Sequence, residues 1–452
     1  MQGLGTRDWG LGRDAISGGG DLLSVIVSRP SPESPVPSPH IGMTESLQHA
    51  DLDDLFADDA IRDPYAFFGR LRETDPVHWN ARHQLWIITR HADVISIVRD
   101  HAAFSSAVIQ SDRRGPYPPL DENGLTLLDE VRRFRGAQLV EQDPPRHTSM
   151  RRLVHQYFTA QAIEAWRPFI QSAVAELLDE LRPGMTVDVM TALAAPLPVR
   201  VIAHLMDVPA ADRAKLRDFA DKLLYINRGE PNRFATLVEG IRGILDYAAP
   251  LADARVREPG TDFISVLAEG EHLGIMDRYE LLVNCALLLF AGHETTVNLI
   301  GNGILAFIRN PEEWEKLRAN PELTRRATEE CLRFDPPVKS TQRIAAADVA
   351  VGDRTIRKGE RLRWIIAAAN RDPEVFPEPD QFRVGRHPNP HVSLGAGIHF
   401  CLGAALARVE GQELFRALAE RVGSFRLETR EPEYQPSIQF RSLRELRVTL
   451  QR

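Results

Sequence analysis

Beyond about residue 50, apolar positions recur at helical spacing along most of the chain, and short β-branched or aromatic runs interrupt them. Pro64 to Glu73 reads as a helix opened by Asp63. Val77 to Asn80 and Leu85 to Thr89 read as a strand pair, and residues 91–99 return to helical spacing. Asp143-Pro144-Pro145 opens another helix, with Asp143 as its cap and proline in the first turn. Helical stretches follow through residue 257. Residues 277–309 hold no proline and predict one long helix, roughly 50 Å at about 1.5 Å per residue. The pattern stays helical to Phe334 and stops at Pro336-Pro337. Strand-like pieces follow, Ile344 to Val351 and Arg361 to Ile366. Residues 371–400, dense in proline, glycine and asparagine, read as an ordered coil, and Leu402 to Val422 is helical again. No internal repeat is visible. The patterns predict a mainly α chain with small β-sheets, an α+β fold.

The first 42 residues differ. They hold Gly18-Gly19-Gly20 and a Pro/Ser tract from Ser28 to Pro39, with too little apolar area to offset chain entropy. They read as a disordered extension, with Met43 a plausible alternative start and residues 43–452 a single domain. Composition adds exclusions. Of 452 residues, 43% are apolar and 26% charged, which excludes a fibrous or wholly disordered chain. The net charge of −8 argues against a general nucleic-acid binder. Three cysteines make no disulfide framework and fit a reducing compartment. The most apolar stretch, Leu281 to Gly292, is broken by Asn284 and falls well short of about 20 residues. A soluble cytoplasmic protein without nucleic-acid or membrane partners is expected.

The densest chemical signal is Leu394-Gly395-Ala396-Gly397-Ile398-His399-Phe400-Cys401-Leu402-Gly403, followed by a helical run. Two glycines allow a tight backbone before Cys401. The cysteine then sits at a helix N-terminus, where free N–H groups and the dipole favour a thiolate, a nucleophile or metal ligand. The alternative is a buried structural cysteine. Zinc is disfavoured, because no second cysteine or histidine pair stands at ligand spacing. The second signal is Ala291-Gly292-His293-Glu294-Thr295-Thr296, midway along the long helix. Glycine and threonine are unfavourable there. The Thr295 hydroxyl can bond back to the Ala291 carbonyl and bend the helix, leaving a hydroxyl and the Glu294 carboxylate beside a distortion in an apolar element. Glu330 and Arg333 stand i, i+3, but Glu130/Arg133 and Glu315/Arg318 repeat that spacing, so alone it says little. His147 and Arg151 share one helical face. With Arg343 and His399 they either face solvent or converge on a dianionic ligand.

Taken together and in this order, these motifs resemble the cytochrome P450 family, most closely its soluble bacterial members, over residues 50–452. The Gly395–Gly403 stretch resembles the haem-binding cysteine loop, and Ala291–Thr296 the oxygen-activation stretch of the central helix. Glu330 and Arg333 match the family's buried pair, whose companion coil carries Ala369-Asn370-Arg371-Asp372-Pro373 and Phe382 to Arg386. Asp143 to Arg151 resembles the helix that contacts the haem propionates. Leu394 stands where Phe is usual, Arg146 where Glu is common and Ala405 where Pro is common, none of which removes a required chemical group.

The resemblance implies a P450 fold, with a long helix over a haem and the cysteine loop before a C-terminal helix. It makes Cys401 the axial thiolate ligand of the iron in haem b, with Leu394, Gly395, Gly403, Ala291 and Gly292 beside the cofactor. Glu294 and Thr295, with Thr296, would relay protons through water during dioxygen activation. His147, Arg151, Arg343 and His399 would bind the propionates, and Glu330 and Arg333 would fix the coil carrying Cys401. One oxygen atom would enter an apolar substrate, by hydroxylation or epoxidation. The electrons would come from a separate ferredoxin or flavodoxin with its reductase, so NAD(P)H serves only indirectly. A basic patch near Arg151, Arg152 and Arg408 would receive that donor. Peroxide-using relatives tend to replace the acid–alcohol pair, which is intact here. A non-catalytic haem sensor would leave it unexplained.

The substrate pocket implied by the same resemblance is lined near Val108–Tyr117, Asn227–Phe234, Leu287, Phe290 and Ala291, Val338–Thr341 and Ile438–Phe440. Lys339 would read a carboxylate or a carrier-bound substrate if it points inward; the competing expectation is a lysine reaching solvent. Residues 285–400 resemble members that oxidise macrolides, polyketides and fatty-acyl chains, pointing to secondary metabolism or lipid oxidation. The family default is a monomer.

Overall fold

The computed structural model describes residues 52–108, 120–223 and 233–451. The expected extension, residues 1–42, lies outside them, as do 109–117 and 227–232 of the expected pocket.

The long helix forms as one element, Arg278–Arg309, and the remaining helices gather around it. It begins at a capping box: the Asp277 side chain accepts from the Glu280 N–H, and the Glu280 carboxylate accepts from the Asp277 N–H. Its sequence is apolar on nearly every side, which is the signature of a helix buried all round. The polar residues within it are placed where partners exist. Asn284 accepts from the Leu139 N–H at 3.0 Å and donates to Ala137 O and Glu280 O. Asn302 donates to the Arg441 and Asp335 carbonyls. Arg146, where an acidic residue is common in the family resembled, pairs with Glu280 and ties the helix Arg146–His155 to the start of the long one. No helix among the described residues is long and apolar enough to cross a membrane.

The β structure is small, as expected. One five-stranded sheet runs, across its width, Val77–Asn80, Leu85–Ile88, Arg361–Ile365, Ser340–Ala345 and Phe104–Ser105. The first pair is an antiparallel hairpin with Trp79 opposite Trp86, their rings 5.3 Å apart. Leu85–Ile88 then runs parallel to Arg361–Ile365. A three-stranded sheet joins Thr186–Asp188, Arg447–Gln451 and Ser424–Leu427, and Val349–Val351 pairs with Arg354–Ile356.

Two expectations need correction. The strand predicted over Ile344–Val351 is two strands, Ser340–Ala345 and Val349–Val351, because Ser340 to Ile344 pair with Arg361–Ile365 and begin earlier than β-branching suggests. Asp143 does not cap the following helix with its side chain, and Pro145 occupies the cap position. The Asp143 carboxylate instead accepts from the Ser105 hydroxyl and the Ser106 N–H, so a distant strand end outcompetes the adjacent helix for it.

A buried histidine fastens the hairpin to the segment before it. His78 lies between Asp53, 2.8 Å from Nε2, and Asp75, 2.9 Å from Nδ1. Burial alone would lower its pKa, but the two carboxylates win and push it up to about 9. A folded pKa raised above the ordinary 6.5 contributes stability that is complete below about 6.5 and lost as pH rises through about 9. His78→Gln is therefore expected to cost on the order of 2–3 kcal/mol at pH 6. That difference from the parent should shrink towards pH 10 in paired urea-unfolding curves.

Candidate active site

The cysteine loop is shaped by backbone sterics. Gly395 and Gly397 have φ of +69° and +65°, in the left-handed region that side chains rarely adopt. Gly397 also presses on the helix His91–Arg99: a Cβ there would lie 2.6 Å from the Val98 carbonyl oxygen. The loop closes where the Cys401 N–H donates to Leu394 O at 2.8 Å, and the helix Ala404–Arg421 begins three residues later. Gly403 has an ordinary φ of −82°, so conformational freedom does not explain it, but its N–H is directed at the Cys401 sulfur. Cys401 is partly buried. Burial pushes its thiol up, against the Gly403 N–H and the cations Arg151 and Arg408. The Gly403 N–H and the two cations act in the direction expected of the helix start, and desolvation acts against them.

The scattered cations do converge. His147, 2% exposed, stacks against His399 with ring centroids 4.1 Å apart. His399 shares a hydrogen bond of 2.9 Å with the Ser106 hydroxyl, whereas both ring nitrogens of His147 are buried without a partner among the described residues. Arg151 donates to the carbonyl of Phe400, next to Cys401, and Arg343 to that of Gln342. Burial and then the positive neighbours push His147 down to about 4 and His399 to about 3. Burial also lowers both guanidinium groups. Both histidines sit in a field that disfavours further positive charge and favours an anion. His101 acts on both electrostatically, and with Ser106 it was missed in the sequence, since neither stands in a motif.

On the central helix, the Thr295 hydroxyl donates to Ala291 O at 2.8 Å, the back-bond expected from the spacing. Thr296 is 2% exposed. Gly292 lets the helix approach Pro196–Leu205, where a Cβ would meet Ile202 Cδ1 at 2.9 Å. Glu294 does not reach freely into solvent: Oε1 accepts from the Ser442 hydroxyl at 2.6 Å and from Asn298 Nδ2 at 3.0 Å. Burial raises its pKa against those two donors, and the Asp221 charge raises it further.

Of three pairs with identical spacing, only one is buried. Glu330 and Arg333 are both 0% exposed and joined by two bonds of 2.8 Å. Arg333 also donates to the carbonyls of Asn370, Pro379 and Gln381. Glu330 accepts from the Arg383 N–H, Arg386 and Asn389. Glu315–Arg318 is a surface pair, and Glu130 pairs instead with Arg242. The expected basic patch is weakened at Arg408, which donates twice to Glu329 at 2.7 and 2.8 Å.

Among the residues expected around a substrate, Phe290 meets Phe440 edge-on at 6.3 Å, and Ile438 is 8% and Leu287 9% exposed. Thr341 is partly buried, opposite Trp364 in the sheet. Lys339 does not reach solvent, in contrast to the expectation of an exposed lysine: it is 2% exposed, and its ammonium has no hydrogen bond or ion pair among the described residues. Burial, with Arg441 and Arg363 nearby against Asp335, pushes it down to about 7.

The family profile described as Cytochrome P450 matches residues 199–450. The biotin biosynthesis cytochrome P450 of Bacillus subtilis (strain 168) is 35% identical over 395 residues, 86% of this chain and 97% of that protein. Cytochrome P450 monooxygenase PikC of Streptomyces venezuelae is 34% identical over 421 residues, 91% of this chain and 96% of that protein. Among solved structures, P450BioI in complex with a hexadec-9Z-enoic acid ligated acyl carrier protein superposes with a TM-score of 0.79 at 33% identity, covering 87% of this chain and 100% of that one. CalO2 superposes with a TM-score of 0.80 at 30% identity, covering 88% and 98%.

The two left-handed glycines separate strain from contact. Gly395→Ala carries only the conformational cost of about 1–2 kcal/mol, since its nearest atom would be 3.7 Å away. Gly397→Ala adds the collision with Val98 O. It is expected to lower the melting temperature clearly more than Gly395→Ala, as scanning calorimetry of the two variants would show.

Proposed function

The chain belongs to the cytochrome P450 family, and from that membership and the geometry above we propose how its residues carry out the monooxygenase reaction. The fold is the family's, and the protein is a haem-dependent oxidoreductase that takes its electrons from outside. The residues fit the cofactor on one observation above the rest. His147 is buried with both ring nitrogens unpartnered, among His399, Arg151 and Arg343 and beside the cysteine loop. Such a cluster suits the two propionates of haem b, whose charge would raise the depressed histidines again. The haem, bound through the Cys401 sulfur, supplies dioxygen binding and the oxidising power that inserts one oxygen atom into a C–H or C=C bond.

Each remaining role belongs to the protein. Cys401 offers a thiolate whose cost of burial is offset by the metal it binds, helped by the Gly403 N–H. Leu394 and Gly395 shape the loop that would hold the cofactor through Cys401, and Ala291 and Gly292 would line the central helix beside it. Thr295, held by Ala291 O, presents its hydroxyl for proton transfer; Glu294 exchanges protons with solvent, and Thr296 packs behind them. Glu330 and Arg333 fix the coil that carries the ligand. Electrons arrive from a ferredoxin or flavodoxin and its reductase, fed by NAD(P)H, in the cytoplasm.

The substrate is apolar, lined by Leu287, Phe290, Thr341 and Ile438, and of the acyl or polyketide kind that the relatives' names suggest. The buried, unpaired ammonium of Lys339 favours one that carries a carboxylate or a carrier-linked acyl chain. An anion beside it would restore the charge that burial suppresses.

The deciding experiment is the spectrum of the dithionite-reduced protein with carbon monoxide. A strongly red-shifted Soret band is expected, and its loss in Cys401→His with haem retained; purified protein that takes up no haemin would overturn the reading. For the substrate, Lys339→Met is expected to weaken the spin-state response to hexadecanoic acid at least tenfold while leaving that to its methyl ester unchanged. An equal response of both ligands in parent and variant would make Lys339 structural.

A further inference from the structure

We propose that Ser442 is a positioning residue for proton delivery: with Asn298 it holds one carboxylate oxygen of Glu294 and leaves the other to exchange protons. This rests on the reading of Glu294 as the relay acid. The observation is a closed triangle of polar groups. The Ser442 hydroxyl donates to Glu294 Oε1 at 2.6 Å, Asn298 Nδ2 donates to the same oxygen at 3.0 Å, and Asn298 Nδ2 lies 2.9 Å from Ser442 Oγ. Both holders are buried, Ser442 at 6% and Asn298 at 1% exposure. Glu294 Oε2 accepts no hydrogen bond among the described residues, so the carboxylate has one fixed and one working oxygen.

The support behind Ser442 is rigid. The neighbouring Arg441 donates its N–H to Pro337 O and its side chain to Asp335 and to the carbonyls of Ile61 and Arg62. One turn beyond Asn298, Asn302 holds the Arg441 carbonyl at 2.9 Å. A carboxylate that rotated freely would present either oxygen in turn; a clamped one presents Oε2 alone, and ordering is what a relay needs. Asn298 also keeps a buried carbonyl oxygen without a partner among the described residues, an acceptor for a bridging water or for the proton of the neutral acid.

The clamp sets proton affinity as well as position. Burial is the largest influence on Glu294 and favours the neutral acid; the two donors favour the anion, and Asp221 on the helix Arg213–Leu223 opposes them. Asp221 is itself raised by burial, between Arg217 and Asp218. His293, the neighbour of Glu294, is pushed down to about 4 by burial and Arg217, and so stays neutral near pH 7. The positive charge of Arg441 is met by Asp335 at 3.1 Å. Removing the serine hydroxyl strips one donor from the anion and leaves the opposing influences intact, so the acid becomes harder to ionise.

The test uses the ferric holoenzyme. Infrared titration would follow the protonated-carboxyl band that disappears in Glu294→Gln. In Ser442→Ala the midpoint is expected to rise by about one pH unit or more, the size of a lost hydrogen bond to a charged group, and Ser442→Thr should restore it. Reductant consumption by the same proteins, with a ferredoxin and its reductase supplying electrons, should show a larger solvent deuterium isotope effect in Ser442→Ala than in the parent. Asn298→Leu, which removes the other donor, serves if Ser442→Ala fails to fold. An unmoved midpoint in a variant with an intact carbon-monoxide spectrum overturns the role of Ser442. If Glu294→Gln itself changes neither consumption nor its isotope effect, the relay reading fails instead.

Discussion

The ion pair of Glu330 and Arg333 is the constraint on which the rest of the site depends. Neither side chain touches solvent. Two charges taken out of water are costly unless their remaining hydrogen-bonding capacity is filled. Here it is filled by the coil that precedes the cysteine loop: carbonyls at Asn370, Pro379 and Gln381 on the arginine, and Arg383 N–H, Arg386 and Asn389 on the glutamate. The pair and the coil are therefore one object. A coil rich in proline and glycine has no ladder of its own to satisfy its backbone, and the arginine supplies that order from outside. Asn370 extends it, accepting from the Val392 N–H and donating to Ser393, two residues short of Gly395.

The second organising feature is a deliberate electrostatic imbalance. His147, His399, Arg151 and Arg343 crowd together at a cost that burial increases. In a purely structural setting such a cluster would be a defect. Beside the cysteine loop, it is what the proposed binding of a dianion would require. The stability given up there is recovered where charges are paired, as in His78 between Asp53 and Asp75 or Arg441 with Asp335.

What could be read from the sequence was whatever depends on local sterics or on residue type at fixed spacing. The long helix, its carbonyl-bonded Thr295, the left-handed glycines before Cys401 and the hairpin at Val77–Ile88 are of that kind. The buried status of Glu330–Arg333 was not, since Glu315–Arg318 has the same local pattern and lies at the surface. Long-range partners decided the misreadings. Asp143 serves Ser105 and Ser106 in place of its own helix, and Lys339 is covered rather than exposed. Ser442, Asn298 and Ser106 went unnoticed because small polar residues carry no pattern until the fold sets them beside a functional group.

The contacts of Arg333 and Glu330 also bear on how the chain assembles. The groups they bind lie 37 to 59 positions away along the chain. Closing loops of that length costs entropy before any contact compensates for it. Until most of the partners have arrived, each early contact leaves a charge desolvated and unanswered, so half-assembled versions of the hub are worse than none. The hub should therefore appear late and all at once, as an all-or-none step. The cysteine loop beyond it should then gain its shape only after the helical body has set, which would put cofactor capture at the end of folding rather than its beginning.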